Sequence, residues 1–480
     1  MVRLSSCVRR ALVLALLTVL VACADAADSR SSWVHGVLLD ADRDLIERDP
    51  ARVAEKYDKM SDSLYLFFRG TAAVWWADVT GVGAWALPTS SASVGTTRVP
   101  IVGDPHVENI GTFRTGDGEI IVSYNDFDAG TFGPAHIDVR RLALSFRVVA
   151  HDAAPDDRGA ALGEQLAEAI GEAYVDEIRR LARGGAPLEV TGEAGFGTII
   201  DDVAERAQED WDIREELEEY TVLEGGQREM FFGDIEPPEE GYPSDSTVRL
   251  TRAERDLVSH LVDAYVLTVA NPDAFSEGFF DVLGVSRRLG AGVGSYPVER
   301  YYVLVAGETE SPDDDRLLEF KEIRDPPRID GLAPLLGRRW EDNAQRTVWF
   351  QRRFSARSDA DVLLGWASVG PVGFKIRERT KAQKSLGADR IAARVRSGRW
   401  SAAEVVEVAE TAARLLANGH ALAPAADGAP ALDALANALG DAAAFGEETA
   451  RFVRLYWPVF LADYQAFVEA LEDDPRVGIR

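Results

Sequence analysis

The chain has 480 residues, of which 46% are hydrophobic, so it is long enough to bury one large core or two packed lobes. Its 80 acidic and 52 basic side chains give a formal net charge of -28. A surface of that sign repels phosphate backbones, which excludes a general nucleic-acid-binding protein.

The first residues carry the features of an export signal. Three arginines precede an apolar run over 11–22, which is too short to cross a bilayer. The run ends in LVAC, which resembles the lipobox of bacterial lipoproteins and implies cleavage before Cys23 with acylation of its sulfur. Residues 1–22 are therefore a predicted signal peptide, and the mature protein is predicted to be lipid-anchored at the cell envelope, on the periplasmic or extracellular side. An ordinary secretory signal cut a few residues later is the alternative.

Helical and strand patterns alternate along the first half of the chain. From residue 28, apolar residues recur at spacings of three and four, which predicts a helical N-terminal segment over 23–98. VPIV and EIIVSY then predict two strands with TGDG as the turn between them, and IDVRRLALSFRVVAHD predicts a helix. A strongly acidic stretch over about 206–246 predicts an exposed insertion or linker within a lobe that spans 99–270.

The β pattern returns in the second half. VSRRLGAGVGSYPVERYYVLVAG and RLLEFKEI predict a glycine-rich hairpin and a third strand, within a lobe over 275–385. The chain from 386 to 480 has a helical, Ala-rich pattern. Together these patterns predict an α+β fold with substantial helical content.

The stretch GDPHVENIG, followed by NDFD, carries the residues that phosphoryl transfer requires. That reaction needs a carboxylate to orient the attacking hydroxyl, oxygen ligands for magnesium and donors for the phosphates. Asp104 and Asn109 stand five residues apart on one loop, and Asp126 follows the next strand, so the three can form a metal-phosphate cradle. Taken alone, GDPHVENIG also fits an ordinary turn with satisfied polar residues.

The pattern G-D-x-H-x-x-N, a strand and then D-F-D resembles the motifs of aminoglycoside-phosphotransferase-like kinases. The resemblance implies a two-lobed protein-kinase-like fold with Mg2+ and ATP or another nucleotide as cofactors. It implies the following roles: Asp104 and His106 as catalytic residues, Asn109, Asp126 and Asp128 as metal ligands, and Asp138 and Arg141 as structural support for the loop. His106 alternatively only holds the loop by hydrogen bonds.

A longer set of segments resembles one bacterial family. KYDKMSDSLYLFFRGTAAVWWADV, GDPHVENIG, YNDFDAGTFGPAHIDVRRLALS, RRLGAGVGSYPVERYYVLV and FKEI together resemble the family known as domain of unknown function 2252. The resemblance runs from about residue 40 to near the C-terminus. That family itself resembles kinases and has no agreed substrate.

The glycine-rich hairpin and the strand after it offer candidate phosphate ligands. Gly290, Gly292 and Gly294 would let backbone N–H groups approach phosphates without a Cβ clash, although a flexible hairpin tip has the same pattern. Lys321 stands where kinase-like folds keep the lysine that pairs α- and β-phosphates, and its alternative is an exposed strand-end lysine. Both follow the catalytic-type loop in the chain, whereas kinases have them before it. The kinase resemblance, with its parts in this order, therefore implies a circularly permuted kinase-like fold.

These residues leave three functions open. The first is a phosphotransferase that binds a nucleotide and an unknown acceptor, and the second is a kinase-like binding module without turnover. The third is a metal-dependent hydrolase built on Asp104, His106, Asp126 and Asp128. The six histidines show no H-E-x-x-H or paired spacing, which disfavours a zinc enzyme. Envelope spaces lack a free ATP pool, so the donor is not ATP, is local, or is bound without transfer.

Overall fold

The computed structural model describes residues 30–80, 98–193, 195–210, 212–232, 247–290, 292–294, 296–326, 339–357, 360–426 and 428–473. Helices and antiparallel sheets both contribute to the core, which confirms the predicted α+β class. The predicted signal peptide and Cys23 lie outside the described residues. Within the described residues, each helix is too short or too polar to cross a membrane.

Groups of helices and strands alternate along the described residues. The helices are residues 30–41 (α1), Arg43–Arg48 (α2), Pro50–Ser61 (α3), Leu64–Gly70 (α4), Ala72–Thr80 (α5), Ala135–Ala153 (α6), Asp157–Ala182 (α7), Thr198–Glu209 (α8), Ile213–Tyr220 (α9), Arg252–Val266 (α10), Asn343–Phe354 (α11), Ala388–Arg396 (α12), Ala402–Leu422 (α13), Ala431–Ala438 (α14) and Ala442–Asp473 (α15). The strands are Val99–Ile101 (β1), Ile110–Arg114 (β2), Ile120–Tyr124 (β3), Thr131–Gly133 (β4), Val190–Thr191 (β5), Thr221–Glu224 (β6), Gln227–Met230 (β7), Thr247–Val248 (β8), Val282–Arg288 (β9), Arg300–Val305 (β10), Arg316–Ile323 (β11), Gly365–Val369 (β12) and Val372–Glu378 (β13).

The largest core joins helices from both ends of the chain. α6 is buried along almost its whole length and packs on α7, which also contacts α13 and α15. At its edge, Arg30 of α1 bridges Asp78 of α5 and Asp463 of α15, at 2.7 and 2.6 Å. The predicted N-terminal and C-terminal helical segments therefore share one core with the residues around the GDPH loop, and do not stand as separate units.

Short sheets hold the two loops that the sequence singled out. β2 pairs with β3 through the TGDG turn, while β1 pairs with β4. The strand partner of EIIVSY is thus IGTFR and not VPIV, as the sequence pattern had suggested. Gly111 interrupts the apolar run of IGTFR, so the sequence pattern did not predict a strand there. That glycine is needed because a Cβ there would lie 2.4 Å from the Lys384 carbonyl oxygen of the chain that crosses this strand.

The six-stranded sheet has the order β12-β13-β11-β10-β9-β8 and two different faces. Successive side chains of a strand point to opposite faces. On one face, Tyr301, Val303 and Phe320 pack on α10 in a core separate from the helical one. On the other face, Tyr302 and Leu304 pack on residues of α9 and β7.

The sheet region differs in extent from the predicted lobes. α10 lies within the predicted 99–270 lobe but packs on the six-stranded sheet. The described part of the acidic stretch forms α9 and the β6–β7 hairpin, with Leu217, Tyr220 and Met230 buried against the sheet. The alternation of acidic and apolar residues in EELEEY produces this amphipathic helix, because Leu217 and Tyr220 pack together with Glu216, which pairs with Arg379, while the other glutamates face water.

Candidate functional site

The two polar loops touch at Gly103. This residue has a φ of 85°, a conformation that favours glycine. A Cβ at Gly103 would lie 2.2 Å from the carbonyl oxygen of Ala129, which belongs to the loop after β3. The Trp76 indole N–H donates to the Gly103 carbonyl at 2.8 Å from the other side. The GDPH loop and the NDFD loop are therefore held in direct contact.

Asp104 is fixed by a buried arginine. The Arg141 Nε donates to Asp104 Oδ1 at 2.7 Å, and Asp104 keeps 20% of its side chain exposed. The guanidinium of Arg141 also lies over the ring of Phe68, 3.6 Å from its centroid. Within the loop, Asn109 Nδ2 donates to the Asp104 carbonyl at 2.8 Å. Asp104 is thus a partly exposed carboxylate with a fixed direction.

Asp138 braces the backbone just before Asp104. Its Oδ2 accepts from the Val102 N–H at 2.7 Å, and its Oδ1 accepts from the Gly103 N–H at 3.1 Å. The side chain is fully buried, and His420 of α13 approaches Oδ2 at 3.2 Å. This contact is the one that the kinase resemblance implied for Asp138. Its role in a reaction stays a prediction.

His106 is buried below the loop. Its Nδ1 lies 3.4 Å from the hydroxyl of Tyr65. Burial lowers the pKa of His106 well below its usual range, and the positive charges of Arg69 and Arg141 lower it further, against the opposing effect of Asp126. The imidazole is therefore neutral, and its contacts suit the alternative in which it holds the loop.

The sheet reaches the second loop through Lys321. Lys321 Nζ lies 2.5 Å from Asp128 Oδ2 and 3.7 Å from Asp126 Oδ2. Burial opposes the charged form of Lys321, yet the two carboxylates raise its pKa. Burial by itself would raise the pKa of Asp126. The positive charges of Lys321 and Lys375 outweigh that effect and hold the pKa well below its usual range. Residues about 190 positions apart therefore form one charged cluster.

The first loop lies beside this cluster. The Asn125 N–H donates to the Asn109 carbonyl at 2.9 Å, which extends the β2–β3 pairing to the residue before Asp126. Asn109 and Asp126 thus stand at the same end of one hairpin. The structure brings together the candidates for catalysis and metal binding that the sequence had placed on two loops.

The donor set fits a hard cation. Asp128 Oδ1 is buried and has no hydrogen-bond partner among the described residues, although Asp128 Oδ2 pairs with Lys321. Since Asn109 uses its amide nitrogen on Asp104, its amide oxygen is the atom suited to a cation. Within the described part of the chain, no three histidine, cysteine or acidic side chains form a metal-binding group. Mg2+ suits such a site, because it takes one or two carboxylates and completes its coordination with water and phosphate.

The glycine turn packs on the N-terminal helices. Gly290 and Gly292 have φ values of 62° and 86°, which favour glycine. A Cβ on Gly294 would lie 3.4 Å from the Arg69 carbonyl oxygen of α4. The side chain of Arg69 in turn pairs with Glu108 of the first loop at 2.8 Å. The turn thus contacts the helix that contacts the loop, and phosphate binding by its glycines stays a prediction.

Three residues at the site escaped the sequence reasoning. Lys375 of β13 stands directly opposite Lys321, Arg346 of α11 donates to the Asp128 carbonyl at 2.8 Å, and His420 meets Asp138. The alternation in VGFKIRE, after a two-residue G-P turn, could have revealed Lys375 as a second inward lysine on a strand. Arg346 and His420 gave no local signal, because their partners lie more than 200 residues away.

Comparison with known proteins places the chain in one family. A family model described as "Uncharacterized protein conserved in bacteria (DUF2252)" matches residues 48–470. No curated protein and no solved structure matches the chain. The matched range contains both polar loops, the six-stranded sheet and the helical core. The protein belongs to the bacterial DUF2252 family.

Proposed function

We propose that this protein is a kinase-like, Mg2+-dependent nucleotide-binding protein that transfers a phosphoryl group to a small-molecule or protein acceptor at the cell envelope. The contact between Lys321 and the carboxylates of Asp126 and Asp128 carries the proposal. This contact joins the six-stranded sheet, in which the glycine-rich hairpin links β9 to β10, to the NDFD loop with its candidate ligands for a hard cation. Phosphoryl transfer depends mainly on such positioned charges.

Each residue of the site has a role in this function. Asp104 would accept the hydrogen bond of the acceptor hydroxyl and orient it, because it is partly exposed and held by Arg141. Asn109, Asp126 and Asp128 would hold Mg2+, which would neutralise charge on the phosphates. Lys321 would exchange its carboxylate partners for a phosphate when the ligand binds.

The chain order of these parts supports a circular permutation of a kinase-like arrangement. The strand that carries Lys321 follows the GDPH and NDFD loops in the chain, yet Lys321 forms one cluster with the carboxylates of the NDFD loop. A reaction needs groups that converge in space, whatever their order along the chain. The segment that joins β13 to α12 lies against β2, where the Thr112 N–H donates to the Lys384 carbonyl at 2.7 Å. That pairing holds the sheet above the loops.

A binding module without turnover is the second candidate. The ion pair between Asp104 and Arg141 favours it, since the guanidinium already occupies one of the two carboxylate oxygens that a base would use. The metal-dependent hydrolase gains no such support, because His106 is buried against Tyr65. Transfer of label to an acceptor separates the two kinase-like candidates.

The test is a thermal-shift screen of the mature protein with nucleotides and other phosphoryl donors, each with and without Mg2+. We expect at least one donor to raise the melting temperature only when Mg2+ is present. Lys321→Met should abolish the shift, whereas Lys381→Met should keep it, because Lys381 makes a partly exposed ion pair with Glu219, away from Asp126 and Asp128. The function is wrong if no donor shifts the wild-type protein, or if Lys321→Met responds like wild type.

A further inference from the structure

A second lysine stands beside Lys321 in the wall of the site. In the antiparallel pairing of β11 with β13, Lys321 is directly opposite Lys375. Directly opposite residues project from the same face of a sheet and have neighbouring Cβ atoms. Both side chains are buried, with 8% and 3% of the residue surface exposed. Two ammonium groups thus lie together on the face that meets Asp126 and Asp128.

Lys375 differs from the other cations of this face in its partners. Arg300 and Arg377 both pair with Glu319, at 2.5 and 3.6 Å, and Lys321 pairs with Asp128. Within the described residues, Lys375 makes no hydrogen bond or ion pair. The carboxylates of Asp128 and Asp126 affect the pKa of Lys375 by Coulomb attraction alone, without a hydrogen bond. A buried ammonium beside a like charge is unfavourable for folding, so the fold gives no reason for it.

The electrostatics of Lys375 agree with this description. Burial lowers its pKa, and the charges of Arg377 and Lys321 lower it further, against the attraction of Asp128 and Asp126. The carboxyl of Asp361 also lies within electrostatic range. In the same cluster, Asp128 Oδ1 is a buried acceptor without a hydrogen-bond partner among the described residues. An unpaired cation and an unpaired anion oxygen therefore line the same site.

We propose that Lys375 is a second phosphate-binding residue, which with Lys321 binds the di- or triphosphate chain of the ligand while Asp126 and Asp128 bind the cation. This role rests on the proposed function and specifies its ligand chemistry. A phosphate chain supplies the acceptors that Lys375 lacks, and a metal ion supplies the partner that Asp128 Oδ1 lacks. The two lysines would recognise only the phosphate chain, which a nucleotide and an inorganic polyphosphate have in common.

The charge balance of the cluster makes the two ligands interdependent. Asp126 and Asp128 are balanced by Lys321 and Lys375, so Mg2+ alone would enter beside two ammonium groups and be repelled. A polyphosphate removes this repulsion because it neutralises the lysines. Metal and polyphosphate therefore strengthen the binding of each other, by the same factor in both directions. Lys375 is the residue that imposes this coupling, because it has no other partner.

The test compares Lys375→Met with wild type by titration calorimetry and thermal melting. The probes are MgCl2 alone, sodium tripolyphosphate with MgCl2, and ATP with MgCl2. We expect Lys375→Met to weaken tripolyphosphate binding by about ten-fold or more, since it removes a charged hydrogen bond. The same variant should bind Mg2+ alone more tightly and should melt at a higher temperature without ligand. Opposite changes in the two affinities are not expected of a merely structural lysine.

Two variants serve as controls. Lys375→Arg keeps the charge and should retain most of the polyphosphate affinity. Lys381→Met removes the same charge from a partly exposed ion pair and should change neither affinity. Tighter binding of ATP than of tripolyphosphate would identify a nucleotide as the ligand, and equal binding would identify the phosphate chain alone.

The outcomes separate this role from the proposed function. If wild type binds both phosphate probes and Lys321→Met loses them while Lys375→Met keeps them, the proposed function survives and the role of Lys375 is wrong. If wild type binds neither probe, both are wrong. A lower melting temperature of unliganded Lys375→Met, with unchanged metal affinity, would also contradict the role.

Discussion

The carboxylate of Asp138 and the imidazole of His420 meet inside the helical core, where Oδ2 and Nε2 are 3.2 Å apart and neither side chain is exposed. The Tyr174 hydroxyl lies 2.8 Å from the other ring nitrogen of His420. A neutral imidazole satisfies both contacts, with Nε2–H donating to Asp138 and Nδ1 accepting from Tyr174. Since Asp138 also accepts the N–H groups of Val102 and Gly103, three helices jointly fix the backbone before Asp104.

Removal of the Tyr174 hydroxyl, which ends this chain of contacts, should lower the free energy of unfolding and leave the packing of the core almost unchanged. Tyr174→Phe leaves Nδ1 of His420 without a donor in the core, which should cost about 1–3 kcal/mol of unfolding free energy. Urea unfolding followed by circular dichroism measures the change. His420→Ala should cost more, and the double variant less than the sum of the two, because the residues share one network. Strict additivity would contradict the coupling.

Gly103→Ala should separate the contact of the two loops from ordinary glycine effects. Gly184 has a φ of 87° and nothing within 4 Å of a Cβ, whereas Gly103 has a similar φ and the Ala129 oxygen at 2.2 Å. Alanine at either position carries the left-handed strain of about 1–2 kcal/mol. Gly103→Ala should lose about 1–3 kcal/mol more, the usual cost of overpacking. Equal losses in urea unfolding would mean that the loops separate easily.

Asp126→Ala should abolish metal-dependent nucleotide binding. The substitution removes a charged ligand of the proposed Mg2+ site, while Lys321 keeps its pairing with Asp128 and the fold should persist. Titration calorimetry with nucleotide and MgCl2 measures the effect. Asp117→Ala is the matched control, because Asp117 is an exposed carboxylate in the turn of the same hairpin. Wild-type affinity in Asp126→Ala would exclude this carboxylate as a ligand.

Asp104→Asn should give the contrasting result. The amide oxygen can still accept from Arg141, so nucleotide binding should survive. A base that orients the acceptor acts on turnover, so any phosphoryl transfer should fall by about two to four orders of magnitude. Transfer of label from donor to acceptor measures the rate. If the wild-type protein binds but never transfers, the binding module is the better description.

Cys23→Ser tests the predicted lipid anchor. Serine has no thiol to acylate, so the variant should move from the membrane fraction to the soluble fraction when cells are fractionated. Cys7→Ser is the matched control, because Cys7 lies within the predicted signal peptide and should leave with it. Membrane association that persists in Cys23→Ser would favour the ordinary secretory signal.

The sequence by itself determined the α+β class, most elements and the polar loops. The apolar patterns of IDVRRLALSFRVVAHD and VERYYVLV identified a helix and a strand correctly. In each case the apolar residues of the segment are buried without interruption, in α6 and in β10. The sequence pattern missed β2, since Gly111 breaks the apolar run, and it described the acidic stretch as an insertion although α9 packs on the sheet. Local pattern reports which residues are apolar, but not which surface will cover them.

Only the tertiary structure decided which charged residues meet. Asp104 and Asn109 could be paired from one loop, but the meeting of Lys321 with Asp128 depends on how the sheet lies over the hairpin. Likewise, Lys375 becomes a site residue because β13 pairs with β11 in one register, and a shift of one residue would turn it to the α10 face. Coulomb interactions act between neighbours in space, and the spacing of residues along the chain does not contain that information.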